Sequence, residues 1–228
     1  MKGMENTVSV ILTTPPGFKQ LVATIDDGKA NALSLEVIEG LRSAVATACA
    51  DMRTLVIVGR DGQFCAGFDL SVMRGGDAAE ISSLLTEGGK LFREILEVPI
   101  PVIAACTGHA LAGGALILLA CDYRVGCQGA FKIGLNEVRI GMPLPTFALA
   151  MARHRIAVSD LTSATLFGEI YDPDDATTTG YLDTLDRDPL ARSLSVADRL
   201  ANLPQVPFSV TKRRLREPLL TELAHLGL

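Results

Sequence analysis

The stretch Pro101–Asp122, PVIAACTGHALAGGALILLACD, decides how the rest of the chain is read. After Pro99 and Pro101 come the β-branched residues Val102 and Ile103, which predict a buried strand. The chain then turns through Thr107-Gly108-His109 and enters an apolar segment headed by Gly113-Gly114, which predicts a helix. A strand, a glycine-bearing turn and a helix start bring free backbone N–H groups to one point. The first N–H groups of a helix have no partner inside it, and the macrodipole adds partial positive charge there. Chemistry that builds negative charge on an oxygen can use such a place.

Outward from this centre, strands alternate with helices. Upstream, Leu55–Val58 predicts a buried strand followed by a glycine-marked loop, Gly59–Gly67. A helical stretch starts at Asp69-Leu70, breaks at Arg74–Asp77, and resumes with Ile81, Leu84, Leu85, Leu91, Phe92 and Ile95 on one face until Pro99 stops it. Further back, Val8–Leu12 and Gln20–Ile25 predict two strands around Pro15-Pro16-Gly17, and Ser34 caps a helix with Leu35, Ile38, Leu41, Val45 and Ala48 on one face. Downstream, Tyr123–Cys127 predicts a strand and a glycine turn leads to Gly134–Glu137. From Pro145 onward helices dominate: Phe147–Arg155, Ser159–Phe167, Asp174–Thr179, Leu190–Leu203 and Phe208–Leu223. The class is α/β, with a core over residues 1–143 and a helical region over 144–228. No repeat has a solenoid period.

The 228 residues carry 48% hydrophobic and 21% charged side chains, a globular balance, and a formal net charge of −5. That balance and the lack of a long basic run predict no nucleic-acid partner. The one basic cluster, Lys212-Arg213-Arg214 with Arg216, predicts a solvated helix face. The five cysteines sit among apolar neighbours without a CxxC pair, and the three histidines are scattered, which predicts reduced core thiols and no metal site. The opening MKGMENTVSV has no apolar signal block, no apolar run reaches membrane-spanning length, and Leu-Gly-Leu at the end is no peroxisomal address. The expectation is a cytoplasmic protein without a membrane partner.

Three segments could carry chemistry. In Gln63–Asp69, the Ala66 N–H can be presented to a ligand with Gly67 keeping side chains clear, or the segment is simply a tight turn into a helix capped by Asp69. In Leu111–Leu116, paired glycines either free a helix start or permit close packing; neither a Walker loop nor GxGxxG spacing is present. His109 reads as a turn or packing residue. In Ile133–Met142, Glu137 stands among apolar residues and glycine turns, where burial would raise its pKa toward neutrality, or it is an ordinary surface glutamate.

In register, the three blocks resemble the crotonase superfamily, the enoyl-CoA hydratase/isomerase fold. The family's Phe-x-Ala-Gly-x-Asp loop is similar to Phe64–Asp69, its Pro-Val-Ile-Ala…Gly-Gly stretch to Pro101–Gly114 followed by Cys121-Asp122-Tyr123-Arg124, and its Gly-x-x-Glu-x-x-x-Gly to Gly134–Gly141. Weaker similarity reaches Asn31-Ala32-Leu33, Gly168-Glu169, Gly180–Asp183 and Lys212. The resemblance implies a crotonase-like ββα spiral core with a helical C-terminal region. It implies an acyl-CoA thioester substrate, with CoA arriving as part of that substrate and no separate cofactor, and a homotrimer or hexamer. It implies an oxyanion hole made by the Ala66 and Gly113 N–H groups, with Glu137 catalytic. Gly67, Phe68, Asp69 and Leu70 join Ala66 and Gly113 in binding substrate, and Lys29 and Ala30 fall where the family contacts CoA.

One departure bears on mechanism. Hydratases of the family carry a first glutamate three residues beyond the oxyanion-hole glycine; here that position is Leu116. Helical spacing predicts Leu116 on the pocket face with Gly113. Adding water needs groups that orient and deprotonate it, whereas moving a double bond needs one base. Leu116 and the Ile133–Glu137 block look more like the Δ3,Δ2-enoyl-CoA isomerases. The alternatives are a hydratase with another acid and a non-catalytic acyl-CoA-binding member.

Overall fold

The structure, a computed structural model, describes residues 9–228; the opening MKGMENTV, with the expected strand residue Val8, lies outside the described residues. β1 (Val10–Thr13) and β2 (Leu21–Ile25) form an antiparallel hairpin. β3 (Ala32–Leu33) leads into α1 (Leu35–Ala50), whose first turn is fixed by the Ser34 side chain accepting from the Val37 N–H at 3.2 Å. β4 (Leu55–Val58), β5 (Gly62–Cys65) and β6 (Gly67–Phe68) precede α2 (Leu70–Gly75) and α3 (Ala78–Glu97). β7 (Val102–Cys106), β8 (Gly108–Leu111), α4 (Gly113–Ala120), β9 (Tyr123–Cys127) and β10 (Ile133–Gly134) follow. A 3₁₀ turn at Val138–Ile140 is then followed by α5 (Thr146–Arg155), α6 (Leu161–Thr165), α7 (Pro173–Thr179), β11 (Thr184–Asp186), α8 (Pro189–Ala201) and α9 (Gln205–His225).

The path is a spiral of ββα turns. The strands β4, β7 and β9 lie in a six-stranded sheet, order β1-β2-β4-β7-β9-β11, and each is followed by a strand of a three-stranded sheet, order β10-β8-β5, while β3 and β6 pair in a two-stranded sheet. Apart from the opening hairpin, the strands of both sheets pair in parallel, and the central strands β4 and β7, buried along their whole length, read as continuous apolar runs. Alternation sorts the side chains: Leu55, Ile57, Val102 and Ala104 enter the main core, while Val56, Val58, Ile103 and Ala105 pack with Leu194, Val196 and Ala197 of α8. α4 is buried on every side, as its uniformly apolar sequence requires.

Several expectations change. The Gly59–Gly67 loop contains β5 and starts β6, and the Thr107–His109 turn runs into β8. Short polar strands escape period-based reading because their stability comes from long-range ladders. A Cβ on Gly108 would stand 2.0 Å from the Gly62 carbonyl carbon, so glycine is what lets β5 and β8 close up. β11 carries no apolar run and is held by its partner β9. α6 is shorter than the expected Ser159–Phe167.

The basic cluster on α9 is not a solvated face. Lys212 and Arg216 are buried, and of the four basic residues only Arg213 and Arg214 face outward. Lys212 Nζ donates to Asp122 Oδ2 at 2.7 Å and to the Ile100 carbonyl at 2.8 Å. Arg216 donates to Asp122 Oδ1 at 2.6 Å and to the Ala120 carbonyl at 2.8 Å. Asp122 also accepts the Val102 N–H at 2.8 Å, so one carboxylate joins the β7 entry, the α4 exit and α9. The i, i+4 spacing puts Lys212 and Arg216 on one face of α9 but does not say whether that face meets water or a carboxylate.

Candidate active site

The three segments singled out by sequence meet around a cavity of about 430 Å³. Among its lining residues only Asn136 and Glu137 carry polar side chains; the rest of the wall is Ala, Phe, Leu, Met, Ile and Pro.

Glu137 lies just after β10, where Gly134, at φ +152°, passes so close to the Glu169 carbonyl that a Cβ there would stand 2.7 Å from it. The Glu137 carbonyl accepts from Ile140 at 3.1 Å and Met142 at 2.9 Å, and Gly141, at φ +82°, completes the turn. This main-chain lock points the side chain inward. Glu137 is 5% exposed and its Oε2 has no hydrogen-bond partner. Burial pushes its carboxyl up to about 7, against a weak opposing pull from its own backbone N–H. The neighbouring Asn136 Oδ1 is buried and unpartnered as well. A carboxyl group in that environment can take and return a proton near neutrality.

Opposite stands a cluster of main-chain amides. Gly113 is the first residue of α4, so its N–H has no intrahelical acceptor. Ala112, which caps the helix, sits at φ +49°, an uncommon conformation for a residue with a Cβ, and its N–H donates to the Gly134 carbonyl at 2.9 Å. That bond ties the helix start to the Glu137 segment. Gly67 and Gly113 touch main chain to main chain: a Cβ on Gly67 would lie 3.1 Å from the Gly113 nitrogen, and one on Gly113 would lie 3.3 Å from the Phe68 nitrogen. Any larger residue at either position would separate the amides.

The Ala66 N–H, expected as one of the two free donors, is engaged: it donates to the Ala30 carbonyl at 3.1 Å. The free amide is two residues further on, at Phe68. Leu33 pairs with Phe68, and its carbonyl takes the Asp69 N–H at 3.2 Å. Alternation along a parallel strand therefore turns the Phe68 N–H away from β3, toward the Gly113 side. Sequence alone does not separate these residues, because the choice depends on the register of β3 with β6.

The other expected site residues divide. Ala66, Phe68 and Leu70 line the cavity. Asp69 instead caps α2, accepting from the Ser71 N–H at 2.8 Å and its hydroxyl at 2.7 Å. Leu116, expected on the pocket face, is fully buried in the main core and is not among the cavity's lining residues. Lys29 and Ala30 are exposed on a turn fastened by Asp27, which accepts the Lys29 N–H at 2.7 Å, and neither lines the cavity. His109 acts locally, accepting the Lys132 N–H at 2.9 Å and packing edge-on to Phe131. Ile81, Leu85, Met142 and Pro145 join the wall; the period of α3 marks Ile81 and Leu85 as apolar-face residues without saying that the face is partly a cavity.

Among the described residues, no group of three or more His, Cys, Asp or Glu side chains could hold a metal ion, and no helix is long and apolar enough to cross a membrane.

A family profile described as Enoyl-CoA hydratase/isomerase matches residues 20–225. A Bacillus subtilis protein described as a probable enoyl-CoA hydratase is 38% identical over 130 residues, which are 56% of this chain and 50% of that protein. The chain thus matches half of the length of that curated relative. An enoyl-CoA hydratase/isomerase family protein of Pseudomonas syringae superposes with a TM-score of 0.91 at 34% identity, covering 95% of this chain and 94% of that one. A Mycobacterium tuberculosis protein superposes with a TM-score of 0.89 at 33% identity over 96% of this chain and 95% of its own; it is described in one structure as an enoyl-CoA isomerase and in another as a probable enoyl-CoA hydratase.

Proposed function

The chain belongs to the enoyl-CoA hydratase/isomerase family, and from that premise we propose that its cavity takes an acyl-CoA thioester and shifts a carbon–carbon double bond from C3 to C2, with Glu137 as the single base. One observation carries the reading: the cavity wall holds one titratable side chain, buried, with an unpartnered oxygen and a carboxyl pushed up to about 7.

In this mechanism the thioester oxygen rests between the N–H groups of Phe68 and Gly113. Glu137 removes a proton from C2. The electron pair left on carbon moves into the thioester, and the resulting enolate oxygen is held by the two amides, each worth about 2.7–4 kcal/mol to such a charge. The extended enolate takes the proton back from Glu137 at C4, so the double bond ends between C2 and C3 and the base is regenerated. The amides are fixed before the reaction by the α4 start and the β3–β6 pairing, so they need not reorganise as charge develops.

Hydration is the second reading, favoured by the description of the Bacillus subtilis relative. It requires an attacking water to be held and deprotonated, for which the wall offers only the Asn136 carboxamide beside Glu137. The two are separated by offering the protein a 3-enoyl-CoA and a 2-enoyl-CoA in parallel. Isomerisation predicts conjugation of the first and almost no 3-hydroxyacyl product from the second. Rapid hydration of the 2-enoyl ester, without conjugation of the 3-enoyl ester, replaces this reading with the hydratase.

A further inference from the structure

The freedom of the Phe68 amide depends on a very short ladder. β3 and β6 share only two residue pairs, Ala32 with Gly67 and Leu33 with Phe68. A slip of one residue would turn the Phe68 N–H toward β3 and away from Gly113. So short a ladder does not hold its own register, and something outside it must.

Asn31 stands immediately before β3. It is 0% exposed, and its backbone lies at φ +53°, a left-handed conformation that asparagine tolerates better than most residues. Its carboxamide nitrogen donates to the Ile25 carbonyl at 2.8 Å, at the end of β2. The same nitrogen donates to the Gln63 and Phe64 carbonyls of β5, at 3.1 and 3.3 Å. Its Oδ1 accepts the Asp27 N–H at 3.1 Å. The Asp27 carboxylate in turn accepts the N–H groups of Asn31 at 2.8 Å and Ala32 at 3.0 Å. One buried side chain therefore grips both segments that feed the ladder. Only Cys65 and Ala66 separate the gripped Phe64 from Gly67, and Asn31 itself leads directly into Ala32.

We propose that Asn31 is a positioning residue for the reaction: it sets the β3–β6 register and so keeps the Phe68 N–H beside that of Gly113. The inference rests on the acyl-thioester reading and adds a residue that never meets the substrate, since Asn31 does not line the cavity. Amides fixed in this way favour an enolate oxygen over the neutral carbonyl from which it forms. Displacing one of them should slow the proton transfer much more than it weakens ester binding.

The test uses butanoyl-CoA isotope-labelled at the thioester carbonyl, with infrared spectra of the bound ester and the rate of α-proton exchange in heavy water. Two N–H donors pull on the oxygen, so the carbonyl stretch should drop when the ester binds the wild type. Asn31→Gly keeps the left-handed backbone and removes the carboxamide. It is expected to lose about half of that drop and to slow exchange about 10²-fold, the lower end of the cost of losing one such donor. Ester affinity should change by less than about threefold. Asp27→Asn removes one carboxylate acceptor from the same clamp and should move both readouts in the same direction by less. Leu194→Ala opens a cavity among the α8 contacts on the other face of the large sheet, so it loses stability without touching the clamp. While folded, it should keep the wild-type spectrum and exchange rate. Wild-type spectrum and exchange in Asn31→Gly, or equal losses in Leu194→Ala, would leave Asn31 to the fold alone and overturn the positioning role. If Asn31→Gly does not fold, Asp27→Asn decides by the same two readouts. A wild-type protein that binds no ester, or binds it without lowering the carbonyl stretch, overturns the acyl-thioester reading and the positioning role with it.

Discussion

Glu137→Gln is expected to slow exchange of the α-protons of a bound acyl thioester with heavy water by roughly 10²–10⁴-fold, the usual contribution of a positioned general base, while ester affinity changes little. The amide is isosteric with the acid and fits the same apolar wall, but it cannot accept a proton from carbon. A second effect runs the other way. The carboxyl is pushed from 4.5 up to about 7 by burial, so between those values the folded protein keeps a proton that the unfolded chain has released. Stability therefore falls as pH rises through that window, and above it the buried carboxylate costs roughly 3 kcal/mol. Gln carries no such cost. The variant should melt at higher temperature than the wild type at pH about 8, and lose that advantage at about pH 4. Loss of exchange together with a gain of stability is the signature of a base kept in an unfavourable place; loss of both would mean that Glu137 serves the fold.

The largest expected loss of stability lies elsewhere. Asp122→Ala leaves Lys212 and Arg216 as two buried cations without their carboxylate, and breaking a buried ion group in this way costs roughly 3–5 kcal/mol. Burial lowers the Lys212 pKa while Asp122 works to raise it, so the variant should also become less stable as pH falls and the lysine is forced to charge. The exposed Arg153–Glu222 pair is the control: Glu222→Gln should change stability by no more than about 1 kcal/mol. Urea denaturation of both variants checks this. Equal, small effects would show that α9 is not anchored by Asp122.

Glu137 and Asp122 are both well-shielded carboxyl groups, one without a partner and one with two cations, and their surroundings differ in how far sequence exposes them. Glu137 is legible because its block is apolar on both sides and interrupted by glycines, and because Gly134 and Gly141 bracket it at turn positions. The large-sheet strands are legible for the same reason: Leu55–Val58 and Val102–Cys106 are short apolar runs bounded by loop signals. Lys212 and Arg216 are not, since a charged pair on a helix looks the same whether it meets water or an Asp brought from ninety residues away. The small strands also escape, because Gly62–Cys65 and Gly108–Leu111 gain their order from each other. The identity of the free amides lies between these cases. The Gly67 and Gly113 neighbourhood is visible as small residues at a strand–helix junction, but which N–H is free depends on pairing register, and this shifts the donor from Ala66 to Phe68. Leu116 shows the limit of helical-face reasoning: on a helix buried all round, the face shared with Gly113 is still core.

The proposed isomerisation requires the buried Glu137 carboxyl group to exchange a proton with the carbon beside a thioester gripped by main-chain amides. The most direct measurement is the rate of α-proton exchange of a saturated acyl-CoA in heavy water, followed by NMR across the neutral range with the wild-type protein. Exchange is expected to rise with pH through an apparent pKa of about 7 and to fall about tenfold per unit below it as the base becomes protonated. Exchange that is absent at every pH, or flat across that range, would contradict it.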